Sequence, residues 1–381
     1  MTRYSSNCSS WIWIELFTLR GEIRILQTVV GILSILGSLI IIVTYFIFLD
    51  MKSTARKILV FISFGDIFTV FPYILVSWFP HDTNLHLENC KWQSFFTTTA
   101  VMWSFFWTSS LAIYVFVVIT RKNYDLGEKL MPSFHFFNWL VPIGVVTLAY
   151  IKEKLGGVES IVTGGWCWIS TDIRKEEAIK WMFITGKGFE MSSYFIILTF
   201  CFLTARKLKT EVKKSRFIFS QESKSVLLNG RKKLIAGPVL FVFFRVWGTV
   251  RFFKYAVYSN PDFCCNLLNK VLIVLHIIGD SSQGFVFFIL YCLCTTKFLE
   301  NCRLLLSICG KGNSNRNIRE ILLKKENLKL RQTAMANCTF RRLTNIRVLE
   351  TYRLFLCGFY VIVFTIYLSI FPIQRHKEFS C

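Results

Sequence analysis

Seven runs of predominantly apolar residues, separated by short connectors rich in Lys and Arg, constrain this chain more than any other feature. A hydrocarbon core about 30 Å thick is crossed by about 20 helical residues. The runs at 25–49, 58–80, 92–119, 134–151, 181–205, 234–258 and 271–296 each have close to that length. Lipid offers a peptide group no hydrogen-bond partner, so a run of this kind crosses as a helix or not at all. The expected fold is therefore an all-α membrane protein, a seven-transmembrane helix bundle. Composition agrees: 53% of residues are hydrophobic, 39 are Phe, and only 18% are charged, where a soluble chain carries about a quarter. A further uncharged run, 354–373, is long enough to form an eighth, carboxyl-terminal apolar span. Hydropathy favours an inserted helix there over a re-entrant or interfacial segment.

The formal net charge of +22 lies in blocks between the apolar runs rather than on one basic face. No zinc-finger spacing, RNP-type motif or P-loop accompanies it, so membrane orientation explains the charge better than nucleic acid does. Lys and Arg gather on the cytoplasmic side of short loops. Connectors 50–57, 120–133 and 206–233 with residues 297–353 carry 29 of them, against 10 in the opposite set. The first set is expected inside and the amino terminus outside, which requires an odd number of spans up to residue 297. The expected organisation is an extracellular segment 1–24, a seven-span domain 25–300, a basic cytoplasmic tail 301–353, and the apolar segment 354–373. Asn7-Cys8-Ser9 is a glycosylation acceptor on the outer side. Cys90 and Cys167 also fall outside, where disulfides persist. A bridge between them would pin the connector 152–180 across the mouth of the bundle.

Ionisable groups within a span cost at least ~2.5–3.5 kcal/mol each and face the bundle interior. At about 1.5 Å of rise per residue, Asp66 and Asp280 fall near mid-bilayer. His276, Asp280, Gln283 with Gly284, Phe287 and Tyr291 recur at helical spacing and form one stripe. Gly284 permits close approach of a neighbouring helix and a bend, while Gln283 can bond across the gap. Asp66, Asp280, Gln283 and Gly284 read either as a switch network or as a static polar network that fixes packing. Nearer the outside, Lys187 and Glu190 share one face of the fifth run, Arg251 and Lys254 one face of the sixth, and His276 lies at similar depth. With His276 neutral this group carries +2, which suits an anionic ligand. The competing reading pairs Glu190 with Lys187 or Arg251. Arg245, half a turn from Lys254, reads as structural.

No Ser/His/Asp order, HExxH motif or metal-binding carboxylate pair supports an enzyme, and no cofactor is expected. The seventh run lacks the lysine that would hold retinal, and the sixth lacks the arginines at every third position of a voltage sensor. A transporter with a polar mid-membrane path stays open. The segments GWCWI (165–169), WMFITGKGFEM (181–191), KLIAGPVLFVFFRVWGTVRF (233–252) and VLIVLHIIGDSSQG (271–284) resemble the orphan family of G-protein coupled receptor 157, related to the slime-mould cyclic-AMP receptors. QGFVFFILYC is similar to the last helix of secretin-type receptors. That resemblance spans roughly 25–300. It implies a receptor that takes an extracellular ligand and passes its signal to a heterotrimeric G protein. The connector 206–233, with ten basic and two acidic residues, then reads as the docking surface for that protein. The Asp-Arg-Tyr triplet and the Asn-Pro-x-x-Tyr element of rhodopsin-like receptors are absent.

Overall fold

The computed structural model describes residues 5–48, 52–78, 84–121, 124–156, 166–170, 172–214, 221–257, 267–295 and 298–303. The apolar run 354–373, almost all of the segment 301–353 and the side chain of Asn7 lie outside the described residues. Two compact units divide the chain, Met1–Phe219 with Leu228–Leu293, and Ser220–Leu227 with Cys294–Cys381. All the geometry below belongs to the first.

The helices are α1 (Ser5–Ile47), α2 (Thr54–Ser77), α3 (Asn84–Arg121), the short α4 (Tyr124–Lys129) and α5 (Met131–Ile151). Then come α6 (Lys175–Met182), α7 (Gly188–Lys214), α8 (Gln221–Val257), α9 (Leu267–Ser281) and α10 (Gln283–Phe288). A π-helical turn, Phe183–Lys187, joins α6 to α7, and a second, Ile289–Leu293, follows α10. Six helical stretches among the described residues are long and apolar enough to cross a membrane, and α9 with α10 makes a seventh, bent by 57°. Every apolar run expected to cross before residue 297 is thus matched by a helix or by this bent pair. The helix of the first run begins well before it, at Ser5.

Large apolar side chains face outward all round the bundle: Phe195 is 74% exposed and Phe46 60%. In water such a surface would drive aggregation, whereas lipid tails solvate it. Inside, α3 packs against α2, α5 and α7. It does so through small polar residues, Ser94, Thr97, Ser104 and Thr108 among them, all buried. Small side chains let helix backbones approach where no hydrophobic effect pulls them together. Asn138 of α5 donates to Ser110 of α3 at 3.0 Å.

Two glycines near the bend in the seventh span approach the backbone of other helices closely. A Cβ on Gly279 would stand 2.0 Å from the Phe244 carbonyl oxygen of α8. One on Gly284 would stand 2.1 Å from Ser38 Oγ, 2.4 Å from Asp66 Oδ2 and 2.5 Å from the Ser34 carbonyl oxygen. Backbone atoms cannot yield as a side-chain tip can. Gly279→Ala and Gly284→Ala should each destabilise the fold by about 1–3 kcal/mol. Gly144→Ala, with nothing within 4 Å, should leave the thermal unfolding midpoint of the detergent-solubilised protein unchanged or slightly raised, alanine being the better helix former.

Candidate functional site

The connector between α5 and α6 folds back over one end of the bundle. Leu155 and Ile169 form an antiparallel bridge, with Gly156 N–H donating to the Trp168 carbonyl and Ser170 N–H to that of Lys154, both at 2.9 Å. Cys90 at the start of α3 is disulfide-bonded to Cys167, as their expected placement suggested. Gln93 Oε1 accepts the Cys167 N–H at 3.0 Å, and Ser94 Oγ donates to the Trp168 carbonyl. Trp166 stacks on Tyr73 of α2, ring centroids 5.0 Å apart. Trp168 lies against Gly186, whose Cβ would stand 2.9 Å from the indole. The connector therefore presents two indoles to the bundle interior.

Beneath them lies a cavity of about 30 Å³, with Lys187, Glu190, Arg245, His276 and Asp280 in its wall. Trp166, Trp168, Phe105 and Phe252 supply its apolar surface. Such a volume holds one or two waters. The π-helical turn ends on Lys187, and π turns interrupt helices often at functional positions. Lys187 Nζ bonds Glu190 Oε2 at 2.6 Å, and both side chains are buried. The other oxygen of Glu190 accepts from Tyr194 and, at 2.9 Å, from Thr249 of α8. This matches one of the two pairings open in the sequence: Glu190 answers Lys187.

A second chain of bonds crosses from α8 to α9. Arg251 Nη1 lies 2.7 Å from His276 Nδ1. Arginine can only donate, so Nδ1 accepts and the imidazole proton sits on Nε2. From there it is donated to Asp280 Oδ2 at 3.0 Å. Asp280 Oδ1 accepts from Arg245 Nη1 at 3.3 Å, and the Arg245 guanidinium lies over Phe105 and Phe241, 5.4 and 5.8 Å from their ring centroids. A position on Gly248 would stand 2.6 Å from His276 Nε2 and 3.3 Å from Lys187 Nζ. The two chains of bonds therefore meet over that glycine.

Of the residues marked in the sequence, Lys187, Glu190, His276 and Asp280 reach one cavity wall. Arg251 joins through His276, while Lys254 is not among the lining residues. Arg245 is in the wall, although its sequence position read as structural. The signal lay in α8 itself: Arg245, Gly248 and Phe252 follow at i, i+3 and i+7, one helical face. Lys254, nine positions from Arg245, points the opposite way. Asp66 is separate from Asp280. Its Oδ2 accepts from Ser34 Oγ at 2.9 Å and Ser38 Oγ at 2.8 Å, and Gly284 N–H donates to Ser34 Oγ at 2.9 Å. The Gln283 amide has no hydrogen-bond partner among the described residues. The residues of the expected stripe are all buried, but the helix carrying them breaks at Ser282, so they do not share one straight face.

A seven-helix bundle with outward apolar surface, a disulfide-pinned connector and a charged cavity beneath it is the form of a membrane receptor. The family model for the seven-transmembrane receptors of the secretin family matches residues 21–287, and the chain belongs to that family. G-protein coupled receptor 157 of Homo sapiens is 33% identical over 278 residues, covering 69% of this chain and 78% of the relative. Its Mus musculus counterpart is 31% identical over 282 residues, covering 69% and 79%. Cyclic AMP receptor-like protein A of Dictyostelium discoideum is 28% identical over 138 residues, 36% of this chain and 34% of the relative. The chain is thus a multi-pass membrane protein and a G-protein-coupled receptor. It is not an enzyme, and the transporter reading loses its support.

Two outcomes follow from the site's bonding. Leaving one member of a buried ion pair without its partner costs about 3–5 kcal/mol, whereas removing both costs far less. Glu190→Gln should therefore lower the thermal midpoint, and Lys187→Met in the same chain should restore most of the loss. For the disulfide, Cys90→Ala and Cys167→Ala should each reduce surface delivery, as expected for about 2–5 kcal/mol of lost constraint. The double variant should be no worse than either single, which flow cytometry against an epitope tag would measure.

Proposed function

We propose that this receptor sits in the plasma membrane with its amino terminus outside. An extracellular anion, bound in the cluster of Lys187, Glu190, Arg251 and His276, then drives signalling to a heterotrimeric G protein at the inner face. One observation supports the ligand's sign. Lys187 stands in the cavity wall with its Nζ on Glu190, and Arg251 bonds His276 directly behind that wall. An entering anion competes with Glu190 for Lys187. Within a site shielded from water such pairs are several-fold stronger than at a surface. The Dictyostelium relative is named for cyclic AMP, itself an anion, which accords with that sign.

On this reading Asp66, Asp280, Gln283 and Gly284 are the switch elements. Asp280 lies in the cavity wall, bonded to His276 and Arg245, and the bend at Ser282 separates it from Gly284, which rests on Asp66 and α1. A ligand that prefers one angle at this bend shifts the population of inner-end arrangements. Residues 25–300 are the receptor domain and 301–353 its basic inner tail. The connector 206–233 offers a positive surface suited both to a G protein and to anionic lipid.

An epitope placed before residue 5 should stain on intact cells, and Asn7→Gln should remove a glycosidase-sensitive mass shift. Expressed with a panel of G-protein chimeras, the receptor should raise the second messenger of at least one class above mock-transfected cells. Staining only after permeabilisation would overturn the orientation, and no response with any chimera would overturn coupling.

A further inference from the structure

Buried polar atoms in a protein interior almost always have a partner, in the protein or in ordered water, so several without one around a single cavity make it a candidate site for a bound polar group. Three residues in the cavity wall carry such atoms: Arg245 at Nε and Nη2, Trp168 at Nε1 and Thr98 at Oγ1. Each residue is at least nine-tenths buried, and each of these atoms carries a hydrogen to give. On the other side, all four carboxylate oxygens in the wall are taken. Glu190 is held by Lys187, Tyr194 and Thr249, and Asp280 by Arg245 and His276. The wall has donors left over and its acids are occupied.

The Arg245 atoms are a particular pair. Nε and Nη2 form one edge of the guanidinium, two parallel N–H groups spaced to meet two oxygens of one oxyanion. The remaining nitrogen, Nη1, is on Asp280, and the two flanking rings of Phe105 and Phe241 fix the plane. Arginine held this way is positioned before anything arrives, so little conformational entropy is lost on binding.

Charge limits what can arrive. In the wall itself Lys187 and Arg245 balance Glu190 and Asp280. A doubly charged group would enter that neutral wall with two charges to be met by hydrogen bonds alone, a singly charged one with only one. We infer that the Arg245 Nε–Nη2 edge, Trp168 Nε1 and Thr98 Oγ1 form a donor-rich subsite for a singly charged oxyanion group, a carboxylate or a phosphodiester. A cavity of about 30 Å³ admits only the oxyanion end of a ligand, whose remainder would extend past the apolar wall of Trp166, Phe105 and Phe252. The inference rests on the anion-receptor reading above and moves its anchor from Arg251 to Arg245.

The test uses the full-length receptor in lipid nanodiscs, without G protein, and reads its thermal unfolding midpoint at constant ionic strength. The probes are benzoate, cyclic AMP and inorganic phosphate at pH 8, where phosphate is mainly doubly charged. Benzoate or cyclic AMP should raise the midpoint, and which of them does so separates a carboxylate from a phosphodiester source; phosphate should not. Arg245→Lys keeps the charge but loses the edge, and should raise the concentration needed by about ten- to a hundredfold. Trp168→Phe and Thr98→Val keep the shape and remove one donor each, and should each raise it by about three- to tenfold. These two variants keep the idea open to test if Arg245→Lys fails to fold.

No shift with either singly charged probe would overturn the subsite. An equal shift in wild type, Trp168→Phe and Thr98→Val would overturn it too. If the shift survives these changes but is lost in Lys187→Met, the anion pocket stands and the Arg245 anchor does not. Failure of G-protein coupling in cells would leave this binding result untouched, so the two readings fail separately.

Discussion

Charge inside a membrane must be answered by charge, and six side chains do this at one level of the bundle. Lys187 and Glu190 on one span, Arg245 and Arg251 on the next, and His276 and Asp280 on the last form two short chains of bonds that meet over Gly248. Each member would be costly alone in hydrocarbon. Together they tie α7, α8 and α9 more firmly than dispersion between greasy faces does, because lipid tails compete equally for those faces. Much else in the bundle is arranged around them. The π-helical turn ends on Lys187, Gly248 leaves room for two polar tips, and Gly279 lets α9 close on α8.

A bond from Arg245 to Asp280 couples α8 to the upper half of the seventh span. The lower half belongs to a different set of contacts, with Gly284 on Ser34 and Ser38 of α1 and the Tyr291 carbonyl on Arg56 of α2, 2.7 Å from Nη2. Between the two sets lies the 57° break. Each half of this span therefore answers to different neighbours.

The spans were legible because hydropathy over twenty residues is a sum, insensitive to local detail. The break at Ser282 was not, because a serine pair in an apolar run is equally at home in a straight helix, where its hydroxyls can bond the preceding turn. The stripe from His276 to Tyr291 was real as a set of buried positions and misleading as a straight face. Ser34 and Ser38 carried no mark of their own, since what makes them important is an aspartate on another helix. Arg245 was visible at the spacing of Gly248 and Phe252. Its role was masked because an arginine near mid-bilayer reads first as something to be neutralised. Cys90 and Cys167 could be paired from topology alone, but nothing in the sequence said that the indoles beside Cys167 would form the cavity's ceiling.

That ceiling is held by an oxidised sulfur pair. The bond from Cys90 to Cys167 fixes a segment with one indole on either side of the half-cystine, so a single covalent link positions both rings. Reduction would leave only the Leu155–Ile169 bridge and the bonds from Gln93 and Ser94 to hold them over the charged cluster. The roof of the cavity is thus sensitive to redox conditions as well as to packing.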